Sequence, residues 1–159
     1  MMTQASEVIR LLQGRTLVTA ESCTGGGIGA ALTAISGASA VYKGGIISYC
    51  DEVKHRMLGV SEAVLKEVGA VSATVAEAMA QGARVALKAD AAVSVTGLAG
   101  PSGDDYGNPV GTVYIGYADE KICTSRYFCF AGDRNAIRDA AIEQALKLIL
   151  EFCDEKSAV

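Results

Sequence analysis

Apolar residues recur along the chain at helical and at strand spacing, and the two alternate. Val8, Ile9, Leu11 and Leu12 fall on one broad helical face, and Gly14 stops that helix. Residues 16–22 (TLVTAES) read as a short buried strand, and a helix rich in small residues follows from Gly26 to Ile35, ended by Gly37. Residues 41–50 (VYKGGIISYC) predict a second strand, whose glycines mark a bulge or a close approach. Residues 51–60 read as a short helix opened by Asp51 as N-cap, and Ser61 to Val68 as another. Thr74 and Glu77 have capping-box spacing and open a helix to about Lys88, with Val75, Met79, Ala83, Ala86 and Leu87 as its stripe. Residues 90–100 read as a strand running into a glycine loop, and 101–109 as a polar turn-rich connection. Residues 110–119 and 121–130 look like two strands of a hairpin, joined around Asp119 and Glu120. Asp133 caps a last helix that turns Ile137, Ala141, Ala145, Leu148 and Phe152 inward. The sum is an α/β fold: one domain over residues 1–159, with three α/β/α layers around a mixed, mostly parallel sheet of about five strands.

Composition narrows the function. A chain of 159 residues fits one ordinary domain, which buries about two thirds of its unfolded surface and needs no staples. The formal net charge of −4 offers no broad footprint for nucleic acid, though a local site can still take a small anion. The absence of an apolar run of about 18 residues argues against a membrane span. Glu7 and Arg10 interrupt the first apolar stretch, which therefore reads as an amphipathic helix and not a signal peptide. The five cysteines are odd in number and include no CxxC pair, which suits free thiols in a reducing cytoplasm. His55 is the one histidine and no ligand spacing exists, so a metal site is not expected.

Four places carry candidate chemistry, each at a strand-to-helix or strand-to-loop junction. The first is Ala20-Glu21-Ser22-Cys23-Thr24-Gly25-Gly26-Gly27. Glycine in a helix costs about 1 kcal/mol relative to alanine. Three at a helix start are explained by a backbone that approaches a ligand, with free N–H groups for an anion or oxyanion. They are explained equally by close packing of helix on sheet, with Ser22 or Thr24 as cap. The second is Tyr49 and Lys54. A lysine near a strand end, partly desolvated, has a lowered pKa and can act as base toward a serine hydroxyl. The plainer alternative is a solvated lysine beside Asp51 and Glu52. The third is the glycine loop Thr96-Gly97-Leu98-Ala99-Gly100-Pro101-Ser102-Gly103, placed where open α/β sheets bind ligands or serving as a simple connection. The fourth is Gly132-Asp133-Arg134. Arginine in a first helical turn opposes the dipole, which an anion bound there would explain. Pairing with Asp133 or Asp139 would explain it as well. Cys23 is a rival nucleophile, because a helix N-terminus lowers a thiol pKa. His55 is the only base for it and reads better as a surface or packing residue. Cys123 and Cys129 read as core packing in an apolar strand.

Taken in order and with their separations, TAESCTGG, Tyr49 with Lys54 five residues on, GLAGPSG, PVGTVY and FAGDR resemble the CinA C-terminal family, from about Leu11 to Leu150. The resemblance implies a nicotinamide mononucleotide deamidase of pyridine-nucleotide salvage, forming nicotinic acid mononucleotide and ammonia. It implies Ser22 as nucleophile, Lys54 as base and Tyr49 as helper. Substrate contacts would come from Thr24, Gly25, Gly26, Thr96, Gly97, Gly100 and Arg134, the last through the phosphate. Cys50 departs from the family, where serine or threonine is expected. Many relatives carry a further N-terminal molybdopterin-binding-like domain, and this chain looks like the stand-alone form. The partner implied is a small nucleotide, with no nucleic acid or membrane, and the assembly a homodimer or larger homo-oligomer. A binding module of the same fold without turnover, and a hydrolase dependent on Cys23, are the alternatives. Lys54 turned to solvent away from Ser22 would mark the first of these.

Overall fold

In the computed structural model, residues 2–157 are described. The sheet is built on β1 (Leu17–Glu21), whose five residues are all buried, as a strand covered on both faces requires. It lies between β2 (Tyr42–Ile47) and β3 (Ala91–Gly97) and runs parallel to both. Beyond β3 follow β4 (Thr112–Asp119) and β5 (Cys123–Cys129), each antiparallel to its inner neighbour, in the order β2-β1-β3-β4-β5. β4 alone therefore runs against the other four strands. The glycines of β2 do mark an irregularity: Leu17 pairs with Tyr42 but Val18 with Gly44, so the register skips Lys43.

Alternate strand residues serve two cores. Leu17, Val93 and Ile115 face α1 (Gln4–Leu11), α2 (Gly27–Thr33) and α6 (Arg134–Ser157). Val18, Ala20 and Ala92 face α3 (Asp51–Leu58), α4 (Glu62–Val68) and α5 (Ala73–Ala86). Three α/β/α layers result, as the alternating pattern predicts. At the α3–α5 contact Gly82 has no side chain, and the Leu58 carbonyl occupies the space a Cβ would take.

Several boundaries differ from the sequence expectation. The N-cap of α5 is Ser72, whose Oγ accepts from Val75 N–H at 3.2 Å, so Thr74 and Glu77 form no capping box. Ser72 has the extended backbone that a cap needs, and Glu77 instead accepts from Ser125 Oγ on β5 at 2.6 Å. Asp51 is the first residue of α3 and not its cap; Cys50 holds the cap position without a side-chain bond. An acid in the first turn still suits the helix dipole. α2 stops at Thr33, and a separate 3-10 turn, Ala38–Ala40, follows Gly37. Cys123 and Cys129 are exposed rather than packed in the core, because β5 is an edge strand. The other end of the chain follows expectation: Asp133 Oδ1 accepts from Ala136 N–H at 2.9 Å, and Phe152 stacks on Tyr117 with centroids 4.7 Å apart.

Candidate active site

Because β1, β2 and β3 are parallel, their carboxyl ends open on one edge of the sheet, and the segments that follow them meet there. Ser22 directly follows β1. Its N–H donates to Val95 O on β3 at 3.0 Å, which fixes the residue to the neighbouring strand. Tyr49 follows β2, and Lys54 stands one turn into α3 with 2% of its surface exposed. Lys54 Nζ lies 3.1 Å from Ser22 Oγ, 2.8 Å from Ser48 O and 3.5 Å from Tyr49 O.

These three neighbours define what the amine can do. Burial holds the Lys54 pKa below the ordinary lysine range, while the charges of Asp51, Cys50 and Cys23 act in the opposite direction. Carbonyl oxygens only accept. A neutral amine therefore gives its two protons to Ser48 O and Tyr49 O and turns its lone pair to the Ser22 hydroxyl. This is the geometry of a base on a nucleophile. The sign for pH follows. Above its lowered pKa Lys54 is neutral and can accept the Ser22 proton; below it the ammonium cannot. Any reaction that uses this pair should rise tenfold per pH unit on the acid side and level off below the ordinary lysine pKa of about 10.4. A kcat–pH profile reads this directly, and Lys54→Arg should abolish the limb.

The turn that carries Ser22 is held from two sides. Glu21, 1% exposed, accepts from Thr24 Oγ1 at 2.7 Å, Ile28 N–H at 2.9 Å and Gly29 N–H at 3.0 Å. The protein's own carboxylate thus occupies the start of α2, where the sequence suggested room for a ligand anion. From α6, Arg138 donates to Cys23 O at 3.0 Å and to Thr24 O at 3.2 Å. Gly26 caps α2 with φ 100, so at this position glycine meets a need of the backbone. Thr24, Gly25 and Gly26 accordingly shape the turn and do not line the cleft in front of Ser22.

That cleft has a volume of about 270 Å³. Its walls bring together Ser22, Lys54, Tyr49, Thr96, Gly97, Gly100 and Arg134 of the expected residues, and add Cys23, Asp51 and Ser102. Thr96 Oγ1 is bonded to Ala70 O at 2.9 Å. The Tyr49 phenol does not bond to Lys54; it accepts from Arg134 Nη2 at 2.9 Å, and the main-chain carbonyl of Tyr49 meets the lysine instead. Arg134 Nη1 reaches Gly100 O at 2.6 Å, so one guanidinium joins α6, the β2–α3 connection and the β3–β4 loop. Arg134 has no ion pair with Asp133 or Asp139 among the described residues. The loop rim is itself tied down. Asp104 accepts from Tyr106 N–H, Asn108 N–H and Asn108 Nδ2, and Tyr106 OH donates to Lys66 O at 2.7 Å.

The rival readings fare differently. Burial pushes the Cys23 thiol up to about 11, against the lowering expected from a helix start, because α2 begins four residues later and is already satisfied by Glu21. His55 links α3 to α4 through Val60 O at 2.7 Å and Glu62 at 3.0 Å, away from the cleft. A larger hollow of about 550 Å³ beside α3 and α4 contains that pair and no nucleophile with a base. Among the described residues no group of three or more His, Cys, Asp or Glu could hold a metal, and no helix is long and apolar enough to cross a membrane. Sequence reasoning did not find Arg138 at this end of the sheet, nor that Glu21, which stands in the first motif, turns its carboxylate into the turn after Ser22. Arg138 had a signal, since it lies four residues after Arg134 on the same helical face.

An open α/β domain with a serine–lysine pair at the carboxyl ends of its parallel strands is the class defined here. The family described as CinA C-terminal domain matches residues 2–153, and the chain belongs to it. A CinA-like protein of Geobacter sulfurreducens is 49% identical over 134 residues, 84% of this chain and 32% of that protein. One from Geobacter sp. strain M21 is 52% identical over 139 residues, 87% of this chain and 34% of that protein. The chain thus spans about a third of the curated relatives it matches. Among solved structures, competence damage-inducible protein A from Klebsiella pneumoniae superposes with a TM-score of 0.90 at 36% identity, covering 93% of both chains. The competence/damage inducible protein from Agrobacterium tumefaciens gives 0.87 at 36% identity, covering 94% of this chain and 96% of that one.

Proposed function

We propose that this protein is an amidohydrolase that converts nicotinamide mononucleotide into nicotinic acid mononucleotide and ammonia, with Ser22 as nucleophile. The observation that carries the reading is the buried Lys54 amine, 3.1 Å from Ser22 Oγ and, among the described residues, within ion-pair distance of no carboxylate. Lys54 takes the Ser22 proton as Oγ attacks the carboxamide carbon. The oxyanion is met by main-chain N–H groups of the turn after Ser22, of which Cys23 lines the cleft, while that of Gly25 is already bonded to Ser22 O. Losing one such donor typically costs about 3 kcal/mol. The ammonium of Lys54 returns the proton to the departing ammonia. Water then attacks the acyl-enzyme, with Lys54 again as base. Tyr49 orients the lysine through its carbonyl and, with Arg134, forms the cleft mouth. Arg134 keeps N–H groups beyond the two it uses, and these suit the nucleotide phosphate. In this reading the protein needs no cofactor, acts in cytoplasmic pyridine-nucleotide salvage and assembles as a homo-oligomer.

Lys54 is turned inward, which favours turnover over a binding-only module. The bond from Lys54 to Ser22, together with the raised thiol of Cys23, favours serine over cysteine. The test is ammonia and nicotinic acid mononucleotide formed from nicotinamide mononucleotide, beside free nicotinamide. Release from the nucleotide at a kcat/KM at least about 10²-fold above that for nicotinamide is expected, since the ribose phosphate supplies binding that the reaction uses. Tight binding of the nucleotide without ammonia would replace this reading with the binding module.

A further inference from the structure

We propose that Arg138 is a positioning residue for Ser22, acting through the peptide units on either side of Thr24. The inference rests on the serine hydrolase reading given above. Arg138 lies on α6, and its Nε and Nη2 reach Cys23 O at 3.0 Å and Thr24 O at 3.2 Å. A planar guanidinium bonded to two successive carbonyls fixes their relative orientation, which a single-point donor cannot do. In a trans peptide the C=O and N–H point opposite ways. Holding Cys23 O therefore sets the direction of Thr24 N–H, and holding Thr24 O sets that of Gly25 N–H, which closes on Ser22 O at 3.0 Å. The same two bonds thus fix the backbone that directly follows the nucleophile.

Three further observations separate this role from surface decoration. Among the described residues no carboxylate lies within ion-pair distance of Arg138, so its charge is not committed to a salt bridge. The charge is felt at the Cys23 thiol, next to the nucleophile, where it opposes the effect of burial. Gly25, which follows the held carbonyls, would place a Cβ 3.7 Å from Arg138 Nη2, so the guanidinium lies directly against the turn.

The experiment compares wild type, Arg138→Ala, Arg138→Gln and Arg138→Lys for kcat and KM on nicotinamide mononucleotide, with melting curves to confirm folding. Wild-type turnover tests the amidase reading; the ratio between variants tests Arg138. In Arg138→Ala kcat should fall about 10²-fold with KM within about threefold, as expected when a reacting group is misplaced by about 1 Å. Methylguanidinium should restore part of the rate in Arg138→Ala and none in wild type, and Arg138→Lys should recover little. If wild type does not turn over the nucleotide, the rate at which a fluorophosphonate labels Ser22 takes the place of kcat, with Ser22→Ala as blank. Slower labelling in folded Arg138→Ala supports the role. A folded Arg138→Ala or Arg138→Gln with kcat and labelling within about threefold of wild type, or a loss confined to KM, overturns it. A wild type that neither turns over nor labels also overturns it, since no nucleophile would then be held.

Discussion

Ser22→Ala, Lys54→Met and the double variant should all fall to one floor, about 10⁴-fold or more below wild-type kcat. The reason is geometric. Among the described residues Ser22 Oγ, 3.1 Å away, is the one hydroxyl bonded to Lys54 Nζ, and its other two partners are carbonyl oxygens with no proton to give. Without the hydroxyl the amine has no proton to take; without the amine the hydroxyl is a weak nucleophile near neutral pH. Two groups that act as one are non-additive, so the double variant should lose no more than either single one. Steady-state kinetics on nicotinamide mononucleotide measure this. Losses that multiply would show that serine and lysine act in separate steps. Lys54→Met keeps the length and apolar stem of the buried side chain, which limits the change to the amine.

The second large effect concerns stability. Gly82→Ala on α5 would drive a methyl group into the Leu58 carbonyl of α3. Alanine gains about 1 kcal/mol over glycine in helix propensity. That gain is outweighed, because the obstacle is backbone and has no rotamer to change. The helices must separate, opening the core around Met79, Ala83 and Leu58. A net loss of about 2–3 kcal/mol is expected, which lowers Tm by roughly 5–10 °C in a domain of this size. Scanning calorimetry checks it. Since α3 also carries Lys54, activity should drop with it at temperatures where the variant is still folded. A Tm at or above wild type would mean that α3 and α5 do not touch at Gly82.

The junctions that carry the site were legible because strand-to-helix punctuation is local. Ser22, Tyr49, Lys54, Gly100 and Arg134 stand beside glycines, caps or changes of hydrophobic period, and parallel strands bring such places together. What was illegible depends on tertiary partners. Glu21 lies in an apolar strand with nothing to say that its carboxylate turns toward three donors of its own chain. For the same reason the glycines after Thr24 suggested a ligand seat where the protein supplies its own anion. The orientation of Tyr49 was equally hidden, because carbonyl and phenol of one residue serve different neighbours. Thr74 matched a capping box by spacing, yet Ser72 came two residues earlier with the right backbone. Cys123 and Cys129 sat in an apolar run, and only the strand order shows that β5 has no outer neighbour.

The tethered rim bears on how fast the cleft can be used. Fixing one residue's backbone costs about 1–2 kcal/mol of entropy, and a floppy rim would levy that on every visiting molecule. Here Asp104, Asn108 and Tyr106 settle it once, at folding. Capture is therefore a docking event rather than an ordering event. Association should run at the pace of diffusive encounter, and residence time, more than arrival, should separate good guests from poor ones.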